Sequence, residues 1–109
     1  MIAGSDFYGV LNKHRSAFIE LAESILKDGE FYIITAVTKD HVDEVKRAVE
    51  RSNVPYTDVR VVVYEKYGDI PRLKFEVASE LGVQFFIDDR KDTVRYLNKR
   101  GITAVAFEV

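Results

Sequence analysis

The chain is 109 residues long, with 47% hydrophobic and 31% charged residues; that suits one folded domain over 1–109 and excludes a disordered chain. Its 16 basic and 18 acidic residues leave a net charge of −2, so composition carries no nucleic-acid or membrane signal. It has no cysteine, which excludes a disulfide framework, a thiolate metal site and a cysteine nucleophile.

Met1 to Gly4 runs into charged residues with no signal-peptide pattern. No apolar run approaches the roughly 20 residues of a membrane helix. A cytoplasmic protein without a membrane partner is expected. Met1–Asp6 reads as a weak first strand, interrupted by Gly4 and Ser5. His14–Lys27 has the helical period, with Phe18, Leu21, Ala22, Ile25 and Leu26 on one face and Gly29 as its stop. Phe31–Thr35 is the second strand. Asp40 is placed to cap the next helix, whose apolar face is Val42, Val45 and Val49 and which ends before Val54-Pro55. Val59–Tyr64 is the most strand-like run of all. Pro71 opens a helix that packs Phe75, Ala78 and Leu81 and stops at Gly82. Gln84–Asp88 is the fourth strand. A last helix over Arg90–Lys99 packs Val94 and Leu97, Gly101 closes it, and Thr103–Phe107 is the fifth strand.

Near-continuous apolar runs alternating with amphipathic helices predict an α/β fold, a three-layer αβα sandwich around a parallel five-stranded, Rossmann-like sheet. Right-handed crossovers place every strand's carboxyl end on one edge, where such sheets bind ligands. The residues just after the strands are therefore the candidates: Asp6 and Tyr8 after the first, Thr35 after the second, Asp88 and Asp89 after the fourth. Lys74 lies early in the helix leading to that strand. Three carboxylates there suit a hard divalent cation, which prefers oxygen ligands.

These residues and their spacing resemble the haloacid dehalogenase (HAD) superfamily. Asp6-Phe-Tyr-Gly-Val-Leu11 is similar to its first motif, with Tyr8 in place of the second aspartate. Ile33-Ile-Thr-Ala36 resembles the second, Lys74-Phe-Glu-Val-Ala-Ser-Glu-Leu-Gly82 the third, and Phe86-Ile-Asp-Asp-Arg90 the fourth. The resemblance spans essentially the whole chain and implies a Mg²⁺-dependent phosphohydrolase. Asp6 would be the nucleophile that forms an aspartyl-phosphate. Asp6, Asp89 and the main-chain carbonyl of Tyr8 would bind Mg²⁺, with Asp88 a ligand or a partner through water. Thr35 would hydrogen-bond a phosphoryl oxygen, and Lys74 would offset negative charge. The family's second aspartate protonates the leaving group and then activates water. A tyrosine, with an ordinary pKa near 10, is poorly matched to both tasks, and losing such a group costs about 10²–10⁴ in rate.

The 28 residues between Asp6 and Thr35 leave no room for a cap domain, nor does the short stretch from Tyr64 to Pro71. An open site excludes water poorly. The expected substrate is a phosphorylated small molecule or a nucleic-acid end, and a homodimer is compatible with the exposed tyrosines. Asn12-Lys-His-Arg15 is a short basic stretch that could line the opening. Simpler roles stand beside these: Asp88 or Asp89 as N-cap of the last helix, Lys74 as a surface lysine, Asp92 as a solvated first-turn acid. His14 and His41 read as surface residues, and Tyr32, Tyr56, Tyr64 and Tyr67 as packing or interface residues rather than a stacking platform. A catalytically inactive binding or regulatory module is the main alternative function. A receiver-like domain would place its acidic pair after strand one, and a metal-dependent nuclease would form no aspartyl-phosphate.

Overall fold

The computed structural model describes Met1–Glu108. Five strands, β1 (Ile2–Ser5), β2 (Glu30–Val37), β3 (Asp58–Val63), β4 (Phe85–Asp88) and β5 (Thr103–Ala106), alternate with four helices. These are α1 (Arg15–Leu26), α2 (Val42–Ser52), α3 (Ile70–Leu81) and α4 (Lys91–Asn98). All strand pairs are parallel, in the order β3-β2-β1-β4-β5. The expected three-layer sandwich is thus the observed one. The weakest strand in sequence, β1, lies at its centre.

The alternation of side chains along each strand builds two cores. On one face Ala3, Phe31, Ile33 and Ile87 pack with Phe18 and Ala22 of α1 and with Val45 and Val49 of α2. On the other, Tyr32, Ile34, Phe86 and Ala104 pack with Ala78 of α3 and with Val94 and Leu97 of α4. The crossover from β3 to β4 passes to the far side of β1, so the strand order reverses between β1 and β4. That reversal opens a crevice at the carboxyl edge. Among the described residues no domain interrupts the chain between β1 and β2 or between β3 and β4. No helix among them is long and apolar enough to cross a membrane.

Several local expectations are corrected. Asp40 does not cap α2; it lies within a 3₁₀ turn, Lys39–His41, that precedes the helix. The turn is held instead by Thr38 Oγ1 and His41 Nδ1, 2.7 Å apart. Leu21 is exposed, because α1 turns only the Phe18–Ala22 stripe squarely onto the sheet. Gly29 follows α1 but has no left-handed backbone, unlike Gly82 and Gly101. A Cβ at position 29 would fall 2.1 Å from the Met1 carbonyl oxygen, so close backbone approach is what demands glycine there.

Gly4 answers a similar demand within the sheet. A Cβ there would sit 2.9 Å from Cδ1 of Phe86, a fully buried ring on the adjoining strand. Gly4→Ala is expected to destabilise the protein by about 1–3 kcal/mol through overpacking. In a Phe86→Leu background the same change should cost under about half as much. Urea unfolding of the four proteins tests this, and equal costs in the two backgrounds would remove the clash as the cause.

Candidate active site at the carboxyl edge

The end of β1 is anchored before any side chain acts. The Asp6 N–H donates to the Ile87 carbonyl at 2.9 Å, which holds Asp6 beside the end of β4. The chain then turns sharply. Tyr8 is extended (φ −70°, ψ 135°) and Gly9 is left-handed (φ 81°). The Gly9 N–H donates to Asn12 Oδ1 at 2.7 Å. A Cβ at Gly9 would lie 2.1 Å from Asp89 Oδ2, so glycine there makes room for a carboxylate as well as for the turn.

Lys74 is not a surface lysine. It lies one turn after Ile70 and one before Ala78 on the buried stripe of α3, and only 1% of it is exposed. Its Nζ sits 2.7 Å from Asp88 Oδ2 and 3.3 Å from Asp6 Oδ1. Burial draws the ammonium's pKa down, but the two carboxylates outweigh it and the net shift is upward. Lys74 therefore stays charged. Asp88 is fully buried, with both oxygens engaged: Oδ2 by Lys74 and Oδ1 by the Arg90 N–H at 3.0 Å. The reading of Asp88 or Asp89 as a helix cap is corrected, since Arg90 is the residue that precedes α4 and no side chain caps it.

Asp6, Asp88 and Asp89 each offer a carboxylate oxygen within 4.8 Å of the others. Three carboxylates against one ammonium leave an excess of two negative charges. Burial pushes the Asp6 carboxyl up to about 7, against the pull of Lys74 and with added repulsion from Asp88 and Asp89, and burial raises Asp88 too, against Lys74. An all-oxygen donor set with surplus negative charge fits a hard dication. Asp6, Asp88 and Asp89 are the side chains that would hold one, Asp88 being also tied to Lys74 and the Arg90 N–H.

Thr35 adds a different feature. It is 1% exposed, lines the same cleft, and its hydroxyl has no hydrogen-bond partner among the described residues. Leaving a buried hydroxyl unpaired costs about 1–3 kcal/mol, which a ligand oxygen would recover. Tyr8 is 39% exposed at the mouth, its ring set edge-on to Phe7 at 5.1 Å. Burial, and then Glu44 against the opposing pull of Arg51, raise its pKa further. Its phenol thus remains protonated near neutrality.

The cleft encloses about 200 Å³ and is lined by Asp6, Tyr8, Thr35, Lys74 and Asp89. The candidate residues Asp6, Tyr8, Thr35, Lys74 and Asp89 therefore meet in one place, with Asp88 against Lys74. Sequence reasoning missed Arg90, Tyr64 and Tyr67, which also line it. The strand-end rule points to Tyr64, directly after β3, and to Arg90, two residues after β4. The four tyrosines do not form one group: Tyr32 is buried in a core and Tyr56 lines a separate groove. Asn12 and Arg15 do not line the cleft but a neighbouring groove that also holds Tyr8 and Arg51. His14 and His41 are surface residues as expected, His14 with its ring edge-on to Phe107. Asp92 is tied to Arg90 by two hydrogen bonds rather than merely solvated.

The Asp6 carboxyl has a measurable consequence in the metal-free protein. Its pKa is about 7 when folded against an ordinary 3.8, so the folded state binds this proton more tightly. The associated stability is fully present below pH 3.8 and is lost as pH rises through about 7. Asp6→Asn removes that loss, while Asp88 keeps Lys74 paired. The variant should gain on wild type by a few kcal/mol, on the order of one per pH unit, across this window. Thermal unfolding in a chelator reads the difference, and a gap independent of pH would contradict it.

No family model matches the chain, and no curated protein matches it. Among solved structures it is similar to a chain of the Pnkp1/Rnl/Hen1 RNA repair complex, with a TM-score of 0.72 and 14% sequence identity. The likeness covers 97% of this chain and 42% of that one, so the chain spans less than half of its neighbour's length. At that identity the likeness shows a shared fold and nothing finer.

Proposed function

We propose that this chain is a HAD-like, Mg²⁺-dependent phosphohydrolase that acts on a phosphomonoester through an aspartyl-phosphate on Asp6. The observation that carries this reading is the convergence on one cleft of a carboxylate nucleophile, a buried charged lysine and an unpaired hydroxyl. The turn after β1, strand β2 and helix α3 supply them.

Each residue has a task in the displacement. Asp6 attacks phosphorus; a P–O bond forms to its carboxylate as the bond to the leaving group breaks. Lys74, locked by Asp88, offsets charge on the Asp6 carboxylate and the phosphoryl oxygens without moving. Thr35 donates its free hydroxyl to a phosphoryl oxygen. Asp6 and Asp89, with the Tyr8 carbonyl, would hold Mg²⁺, which when bound supplies charge neutralisation between two anions. Water then displaces phosphate from Asp6 and restores the carboxylate. The weak link is the acid–base step. Tyr8 is a protonated phenol, reluctant to release its proton to a leaving group and unable to take one from water. Hydrolysis is therefore slow, by about 10²–10⁴ against a site with a carboxylate at that position.

A second reading, a phosphate-binding module without turnover, is favoured by that same residue. The RNA repair complex to which the fold is similar is compatible with a strand end as substrate.

Phosphate release from a panel of phosphomonoesters and end-phosphorylated oligonucleotides, with and without Mg²⁺, separates these readings. Slow wild-type turnover that disappears in Asp6→Asn and rises about 10²–10⁴-fold in Tyr8→Asp is the expected result. Silence from the wild type with activity in Tyr8→Asp would favour the binding module. Silence from all three would sink the phosphohydrolase.

A further inference from the structure

The cleft's outer wall is built in a way that phosphate chemistry alone does not require. Tyr67 is 66% exposed, among the most exposed large side chains of the molecule. An exposed tyrosine ring is ordinarily free to change rotamer, but this one is braced. The Arg90 guanidinium lies over its face, 4.2 Å from the ring centroid. Arg90 is itself pinned, with Nε and Nη2 donating to the two oxygens of Asp92 at 3.0 and 2.6 Å. Asp92 in turn accepts the Thr93 N–H at 2.8 Å. Tyr64 meets the Tyr67 ring edge-on at 5.8 Å.

A chain of contacts from α4 thus fixes one face and one edge of an exposed ring. That ring belongs to the same cleft as Asp6, Thr35 and Lys74. Arg90, held by two hydrogen bonds to Asp92 and stacked over Tyr67, is a rigid backing for that ring. A fixed, solvent-facing aromatic plane beside a phosphoryl site favours a planar π-system, and stacking on it is tolerant of base identity. We infer that Tyr67, backed by Arg90 and Tyr64, is a stacking platform for a nucleobase, so that the ligand is a phosphomonoester carried by a nucleoside. This rests on the phosphoryl site proposed above and adds the substrate class that the Asp6 cluster does not specify.

Binding and turnover can be read separately. The chain has no tryptophan and six tyrosines, so the tyrosine emission change that Tyr67→Phe loses reports stacking on Tyr67, and calorimetry gives affinities. With Mg²⁺ present, adenosine 5′-monophosphate is expected to bind about 5- to 100-fold tighter than ribose 5-phosphate. Tyr67→Ala should erase that preference and leave ribose 5-phosphate binding unchanged, while Tyr67→Phe should keep it. A 5′-phosphorylated tetranucleotide binding at least as tightly as the mononucleotide identifies a strand end as the source, and weaker binding identifies the free nucleotide; both uphold the platform. Equal affinity for the nucleotide and the sugar phosphate overturns it, as does a Tyr67→Ala variant that weakens both alike. Phosphate release on the same samples keeps the two proposals apart. Nucleobase preference without turnover removes the hydrolase and retains the platform; turnover without preference does the reverse.

Discussion

The arrangement depends on one buried ammonium. Lys74 would be costly where it lies, since a desolvated lysine without partners gives up its charge or its place. Asp88 and Asp6 are what make the position tenable. Removing Lys74 itself would typically cost about 3–5 kcal/mol, because the buried carboxylates it pairs would be stranded. The same contact joins α3 to the ends of β4 and β1. It is therefore a constraint on the fold as well as on the chemistry, and it sets the geometry of the cleft floor.

From this constraint the division of labour among the carboxylates follows. Asp88 accepts from Lys74 and the Arg90 N–H and so anchors the lysine. Asp89 is the exposed member, and Gly9 leaves space for it. Asp6 is close enough to Lys74 to be held, and burial, with repulsion from two carboxylates added, raises its pKa. A site with more carboxylates than cations is primed for a cation. Ionisation of Asp6 above about pH 7 costs stability, which a bound cation would offset.

Tyr8 changes what such a centre can do without disturbing how it is built. Its backbone follows the turn after β1 and its carbonyl is retained whatever its side chain. The substitution removes acid–base capacity and puts an aromatic ring at the mouth, where Tyr64 and Tyr67 already stand.

Much of this was legible along the chain, for a physical reason. Apolar period and β-branched runs report which face of a segment is buried, a local property, so the five strands, the four helices and the three-layer architecture follow from sequence. The rule that strand ends meet at one edge then located Asp6, Tyr8, Thr35, Asp88 and Asp89. Local signals failed where a contact across the fold decided the outcome. Gly29 is required by the Met1 carbonyl rather than by a helix stop, and Gly4 by a ring on another strand. Only the tertiary structure distinguished Lys74 from a surface lysine, left the Thr35 hydroxyl unpaired, and set Arg90 behind Tyr67. Those relations join residues tens of positions apart. They exist only because the strand order reverses beside β1, and desolvation, which gives each of them its energy, is a property of the assembled fold.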